Sequence, residues 1–154
     1  MSYEFLEHTA DVKFRAEGAT IEDMFSSTAD ALNDTIRGDI KILEQEEKSF
    51  EIVGKDNEAL LYNFLEEFLV LLDSEDFLIA RIKTIDIKDG KLNCVVVGDK
   101  AENYKFTNDV KAVTYNEMSV KHISQDGRGL ERSGEDAVPA VASGKWVCEV
   151  VLDV

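Results

Sequence analysis

The chain opens with a two-residue alternation. Phe5 is apolar, and then Val12, Phe14 and Ala16 alternate with Lys13, Arg15 and Glu17. This pattern predicts two short strands between Tyr3 and Glu17, broken at His8-Thr9-Ala10-Asp11 as a hairpin or a kinked strand. After Gly18 the period changes. Ile21, Met24, Phe25, Ala29, Leu32 and Ile36 recur at steps of three and four, which gives a helix one apolar face. Thr20 is placed to cap its first turn, Glu22 and Asp23 suit the positive end of the helix dipole, and Gly38 ends it.

The next strand runs from Glu47 to Val53, and Gly54 turns the chain. Asp56 is the following N-cap candidate. Behind it Leu60, Leu61, Phe64, Leu65, Phe68, Leu69, Leu71 and Leu72 form a wide apolar stripe on a helix of about 18 residues. In a chain of this length such a stripe belongs to the core and not to an exposed groove. Phe77 to Lys88 and Lys91 to Val97 read as a hairpin joined by Asp89-Gly90, a dipeptide suited to a tight turn. Strands are also predicted at Lys111 to Tyr115, Met118 to Ile123 and Lys145 to Leu152. Gln125 to Gly144, with polar residues, glycines and the sole proline, reads as a loop or a long hairpin tip. No internal repeat or linker is visible. Strands and helices mixed without βαβ alternation predict an α+β fold: one two-layer domain over residues 1–154, a mostly antiparallel or mixed sheet with two helices packed on it.

Charge narrows the function. Seventeen Lys and Arg against 32 Asp and Glu leave a formal net charge of −15. Nucleic-acid affinity depends on cations displacing counterions from phosphates, so a broad direct contact with RNA or DNA is disfavoured. The carboxylate excess suits divalent cations or a basic protein partner. Two cysteines, Cys94 and Cys148, and two histidines, His8 and His122, are too few and too scattered for structural zinc. Both cysteines sit among apolar neighbours and read as buried thiols. The first residues lack an export signal, and no stretch approaches the roughly 20 apolar residues of a membrane span, which points to the cytoplasm and to no membrane partner.

The common catalytic templates are absent: there is no phosphate-binding loop, GxGxxG, GxSxG or HExxH. Gly127-Arg128-Gly129 reads as a turn. What remains is a set of carboxylates in unusual places. Asp11 lies between two apolar strand segments, where it is either a turn-forming residue or a ligand. At the other end an apolar strand carrying Trp146, Val147, Val150, Val151 and Leu152 leads directly into Asp153 and Val154. Pairing into the sheet would fix the Asp153 side chain and the main-chain carboxylate of Val154. If Asp11 lies beside them, the donors are hard oxygens suited to Ca²⁺, Mg²⁺ or Mn²⁺.

Several segments resemble the archease family. They are Phe5-Leu6-Glu7-His8-Thr9-Ala10-Asp11-Val12, the helix entry Gly18 to Phe25, the second helix ending in Leu71-Leu72-Asp73, Lys111-Ala112-Val113-Thr114-Tyr115, and Trp146 to Val154. The resemblance runs end to end. It implies an accessory protein of the RtcB-type tRNA-splicing RNA ligase that binds a divalent ion, calcium in the family, through Asp11, Asp153 and the main-chain terminus of Val154. It further implies faster guanylylation of the ligase histidine by GTP and multiple turnover, with no catalysis by the protein itself. Lys111 and Tyr115 match the family pattern and are candidates for contacting the partner or supporting the metal loop. His8 is a candidate for organising the Asp11 turn. One position departs: the family's histidine after Thr-Tyr is Asn116 here, which keeps a carbonyl oxygen and donors but cannot titrate or offer a nitrogen to a metal.

Two rival classes remain open at this stage. One is a general chaperone of proteins or RNA-modifying enzymes, in which the ion only fixes the chain ends. The weakest is a stand-alone metal-dependent phosphohydrolase, because no Lys, Arg or His beside the carboxylates offers a general acid or charge clamp.

Overall fold

A computed structural model describes residues 2–7, 11–107, 110–124, 129–130 and 144–154. The elements follow the hydrophobic pattern closely. Strand β1 (Ser2–Leu6) pairs antiparallel with β2 (Val12–Gly18). Helix α1 (Ile21–Arg37) follows, with the Thr20 hydroxyl accepting from the Asp23 N–H at 3.1 Å and Gly38 as its C-cap at φ 64°. After β3 (Glu46–Val53) comes α2 (Asn57–Glu75), capped by Asp56, whose carboxylate accepts from the Ala59 N–H at 2.7 Å. The hairpin of β4 (Phe77–Lys88) and β5 (Lys91–Lys100) turns at Asp89-Gly90, both with positive φ. The chain ends in β6 (Ala112–Ser124), the short β7 (Gly129–Leu130) and β8 (Gly144–Asp153).

The protein is α+β, and every strand pair among the described residues is antiparallel. The single sheet expected from the sequence is divided into two. One has the order β1-β2-β8-β6-β7 and the other β3-β5-β4, and each helix touches strands of both. This explains the breadth of the α2 stripe: a helix in contact with two sheets buries more of its circumference than one beside a single sheet, and Leu60, Leu61, Phe64 and Leu65 are all fully buried. Phe64 stacks on Phe25 of α1 at 5.5 Å and on Phe50 of β3 at 6.3 Å, joining the layers. Among the described residues no helix is long and apolar enough to cross a membrane.

The topology contains a repeat that the hydrophobic pattern of the sequence barely displays. β3-α2-β4-β5 forms a βαββ unit with strand order β3-β5-β4. β2-α1-β6-β8 forms a second with the same order, β2-β8-β6, into which the first is inserted. Local contacts obey the same duplication. Gly18 ends β2 and Gly54 follows β3, and a Cβ on either would lie 2.5 Å from a helix backbone nitrogen, that of Met24 or of Leu60. Only glycine permits that approach. The carboxylate of Glu22, in the first turn of α1, accepts from the Ile87 N–H on β4 at 3.2 Å, while that of Glu58 on α2 accepts from the Val120 N–H on β6 at 3.1 Å. Each helix start thus ties its unit to the hairpin of the other. In sequence the two units share Phe14, Gly18 and Glu22, which recur as Phe50, Gly54 and Glu58, while neighbouring matched positions differ, as at Ala16 and Ile52.

Two further expectations change. The segments at Lys111 to Tyr115 and Met118 to Ile123 are parts of one strand, β6, interrupted by a bulge: Thr114 pairs with Val151, and the next pair is Ser119 with Glu149. Glu117, at φ 64°, takes up the extra length. The loop read between Gln125 and Gly144 lies outside the described residues, apart from β7 and Gly144. Cys94 and Cys148 are buried free thiols, each pushed up to about 12 chiefly by burial, so neither is a nucleophile.

On the outer face of the larger sheet, Arg15 bonds Glu149 through Nη2 at 2.9 Å and Nε at 3.3 Å, and Lys13 lies 3.5 Å from the same carboxylate. The Arg15 hydrogen bond, foremost, holds the Glu149 carboxyl below its ordinary range. A depressed carboxyl contributes stability that is present above the unfolded value, near 4.5, and is lost as pH falls through the folded value. Glu149→Gln is therefore expected to destabilise by about 1 kcal/mol at pH 7, after allowance for solvent screening. In urea titrations the difference from wild type should shrink as pH falls below the ordinary carboxylate range and the Glu149 carboxyl takes up its proton.

Candidate functional site

The candidate carboxylates meet where three strands end together. β8 lies between β2 and β6, and at its end Leu152 pairs with Val12 on one side and with Val113 on the other. Leu152 is fully buried and Val113 nearly so, and they anchor the ladder from beneath. The next residue outward on β2 is Asp11. The next on β8 is Asp153, which pairs with Ala112 and whose carbonyl accepts from the Lys111 N–H at 2.7 Å. The Thr114 hydroxyl donates to the Val151 carbonyl at 2.8 Å, a second lock on the same strand end. Val154 is half-buried and packs against the core, so the main chain of this end is held at its last described residue.

The sheet register thus brings Asp11, Lys111, Asp153 and Val154 to one edge of the fold from positions 11, 111, 153 and 154. Asp11 and Asp153 are half-buried, and Asp11 has a contact within the protein. His8, with Thr9 and Ala10, lies outside the described residues. Tyr115 and Asn116 are placed elsewhere, in the β6 bulge beyond Thr114 and over the start of α2. The Tyr115 ring lies 5.5 Å from Tyr62 of α2. Burial first, then the charges of Asp56 and Glu58, raise the Tyr115 hydroxyl above its ordinary value. Asn116 is exposed.

The donor chemistry at the strand ends fits a hard divalent cation: two aspartates and a main-chain oxygen of Val154, with no sulfur or imidazole among the described residues there. It is a sparse set. Among the described residues no group of three or more His, Cys, Asp or Glu comes together, so water or a partner must complete the coordination of any ion. Sequence reasoning missed the bulge that lifts Tyr115 and Asn116 away from the aspartates. Two strand-like segments separated by Asn116-Glu117 were the available signal for it.

A small antiparallel α+β protein, built from interlocked βαββ units and carrying paired aspartates at a three-strand end, defines the class structurally. The archease protein family model (MTH1598/TM1083) matches residues 3–154, and the chain belongs to that family. It is 40% identical over 133 residues to the protein archease of Pyrococcus furiosus, covering 83% of this chain and 93% of that one. The identity to the protein archease of Methanosarcina mazei is 29% over 158 residues, covering 99% and 95%. The solution structure of Methanobacterium thermoautotrophicum protein 1598 superposes with a TM-score of 0.72 at 29% identity, over 99% of this chain and 98% of that one. A Thermotoga maritima crystal structure, described as an archease and "possible chaperone", shares the fold with a TM-score of 0.58 at 21% identity, over 97% and 94% of the chains.

The hydrogen bond from Lys111 to the Asp153 carbonyl is the outermost tie between β6 and β8. Lys111→Pro removes the donor at a position before the strand proper, where proline is tolerated. Amide exchange at Asp153 and Val154 should then speed up by the factor corresponding to about 1 kcal/mol, while exchange at Val150 stays unchanged.

Proposed function

We propose that this protein is a non-enzymatic activator of an RtcB-type tRNA-splicing RNA ligase, accelerating guanylylation of the ligase histidine by GTP and permitting repeated turnover. The observation that supports the reading is the register at the end of β8, where Val12 pairs with Leu152 and the chain continues to Asp11 on one strand and to Asp153 on the other. In this reading the two aspartates and a main-chain oxygen of Val154 hold Ca²⁺, Mg²⁺ or Mn²⁺ with water in the remaining positions. A divalent cation there supplies positive charge against a nucleoside triphosphate. Lys111 fixes the Asp153 main chain, His8 organises the turn before Asp11, and Tyr115 and Asn116 are available to the partner from the bulge. The net charge of −15 supports a basic protein partner in the cytoplasm over direct, broad binding to RNA.

A chaperone role is the second reading, favoured by the description of the Thermotoga maritima relative. There the ion would only tie down the strand ends, and its loss would cost stability without touching a reaction.

Single-turnover guanylylation of the cognate ligase, with and without this protein, separates the two. Wild type should accelerate the step, and Asp153→Ala and Asp11→Ala should abolish acceleration while retaining their melting transitions. Full stimulation by either variant contradicts the activator reading. Absence of stimulation by folded wild type favours the chaperone.

A further inference from the structure

Helix α2 turns much of its surface inward, but one line of residues spaced at three and four reaches solvent: Tyr62 and Glu66 are half-buried, with Tyr62 still packed against the core, and Val70 and Asp73 are open. Val70 is 45% exposed and Asp73 is exposed. Tyr115 extends this line from the β6 bulge by stacking on Tyr62, and it is 46% exposed itself. The Tyr62 hydroxyl donates to Glu66 at 3.3 Å, and the charges of Asp56 and Glu58 lie close enough to Tyr115 to act, after burial, on its hydroxyl. The Tyr62 ring is thereby held in place, with part of the Tyr115 surface open to solvent.

The charge of this surface is one-sided. Residues 56–80 contain seven Asp and Glu and no Lys or Arg. Of the ion pairs found among the described residues, one reaches this helix, Lys48 to Glu75 at its far end. Further round the helix, Glu67 is pushed up by burial and then by the charge of Glu75. On the outer face of the larger sheet the acids are matched by Lys13, Arg15 and Lys145. An exposed aromatic ring near carboxylates suits a guanidinium that stacks on the ring and forks to a carboxylate, while Val70, about two turns further along the helix, suits the aliphatic stem of a second basic side chain.

We infer that the outer face of α2, together with Tyr115, is a docking surface for an arginine-bearing basic protein surface. The observations behind it are the stacked tyrosines, the exposed Val70 and the absence of cations from residues 56–80. An enzyme that holds RNA ends needs cationic surface of its own, so the inference specifies the partner-facing side of the activator reading and rests on that reading for the partner's identity alone. The surface is separate from the Asp11–Asp153 edge: one docks, the other holds the ion. Binding through it is salt-sensitive, since its contacts are at the rim of solvent.

The test has two arms. In the first, amide spectra of the full chain are followed during titration with an Arg-Gly repeat peptide and, separately, a Lys-Gly repeat of equal length. The inference predicts shifts concentrated on α2 and the β6 bulge, tighter binding of the Arg peptide, loss of that preference in Tyr115→Ala, and about tenfold weaker binding in Glu66→Lys/Asp73→Lys. The milder Glu66→Gln/Asp73→Asn variant serves if the reversal impairs folding. Shifts spread over all acidic surfaces or centred on Asp11 and Asp153, or equal binding by the variants, overturn it. In the second arm, ligase guanylylation is measured against activator concentration. Charge reversal should raise the half-maximal concentration about tenfold and leave maximal stimulation unchanged. An unchanged half-maximal concentration overturns the docking surface while the activator reading stands. If wild type stimulates nothing, it is the activator reading that fails, and the peptide arm alone decides the surface.

Discussion

Strand β8 is the element on which the arrangement depends. It is hydrogen-bonded on both sides, to β2 and to β6, and its inward residues Cys148, Val150 and Leu152 are fully buried. A strand paired on both edges over a packed face has one register open to it, because a slip by one residue would turn that buried set toward solvent. The register in turn fixes which residues meet at the strand end. Asp11 comes to Asp153 because Val12 is paired with Leu152, and Lys111 comes to the same residue because Val113 is paired with Leu152 from the other side. Core packing several residues away therefore sets the spacing of the candidate ligands.

The interlocked βαββ units give that strand its support. β6 and β8 follow β2 and α1 only after a complete second unit has been inserted, and the fold holds this long excursion together at the helix starts. Glu22 and Glu58 use their carboxylates on backbone N–H groups of the opposite unit, at positions where the positive end of a helix favours an anion. The glycines that precede each helix let strand and helix backbones come close enough for those reaches. The two units share this construction and differ at the ends of their central strands. Asp153 ends β8 and Val154 follows it, whereas Val97 and Gly98 occupy the matching stretch of β5 and are buried. The second unit keeps an acid on its first strand, Glu47, but its partner there is Val97, so the facing pair of aspartate positions belongs to the first unit.

Local signals in the sequence were sufficient for most elements. Thr20 and Asp56 cap the helices they were expected to cap, Gly38 closes the first, and Asp89-Gly90 turns the hairpin. Those features act over a few residues and leave marks in the chain. The division into two sheets left no such mark, because alternation shows that a face is buried and not what covers it. The width of the apolar stripe on α2 was the trace of that division: at about 100° per residue Leu60, Phe64, Leu61, Leu65 and Leu69 spread over about half the circumference, more than a helix beside one sheet needs. The duplication was nearly as silent, since it is expressed mainly in backbone approach and pairing order, while Ala16 and Ile52, or Thr28 and Phe64, fill matched places with unlike volumes. For the site, residue chemistry singled out Asp11 and Asp153, and the family resemblance named the same pair. The bulge that carries Tyr115 and Asn116 away from them depends on pairing with a strand some thirty residues later.

The central claim is that the end of β8 holds a divalent cation between Asp11 and Asp153. Crystals of the protein grown with Mn²⁺ and measured for anomalous scattering test it most directly. The account predicts one strong anomalous peak within ligand distance of both carboxylates and a main-chain oxygen of Val154, absent from crystals of Asp11→Asn/Asp153→Asn. Ordered aspartates with no peak between them at saturating Mn²⁺, or a peak that survives in the double variant, would contradict it.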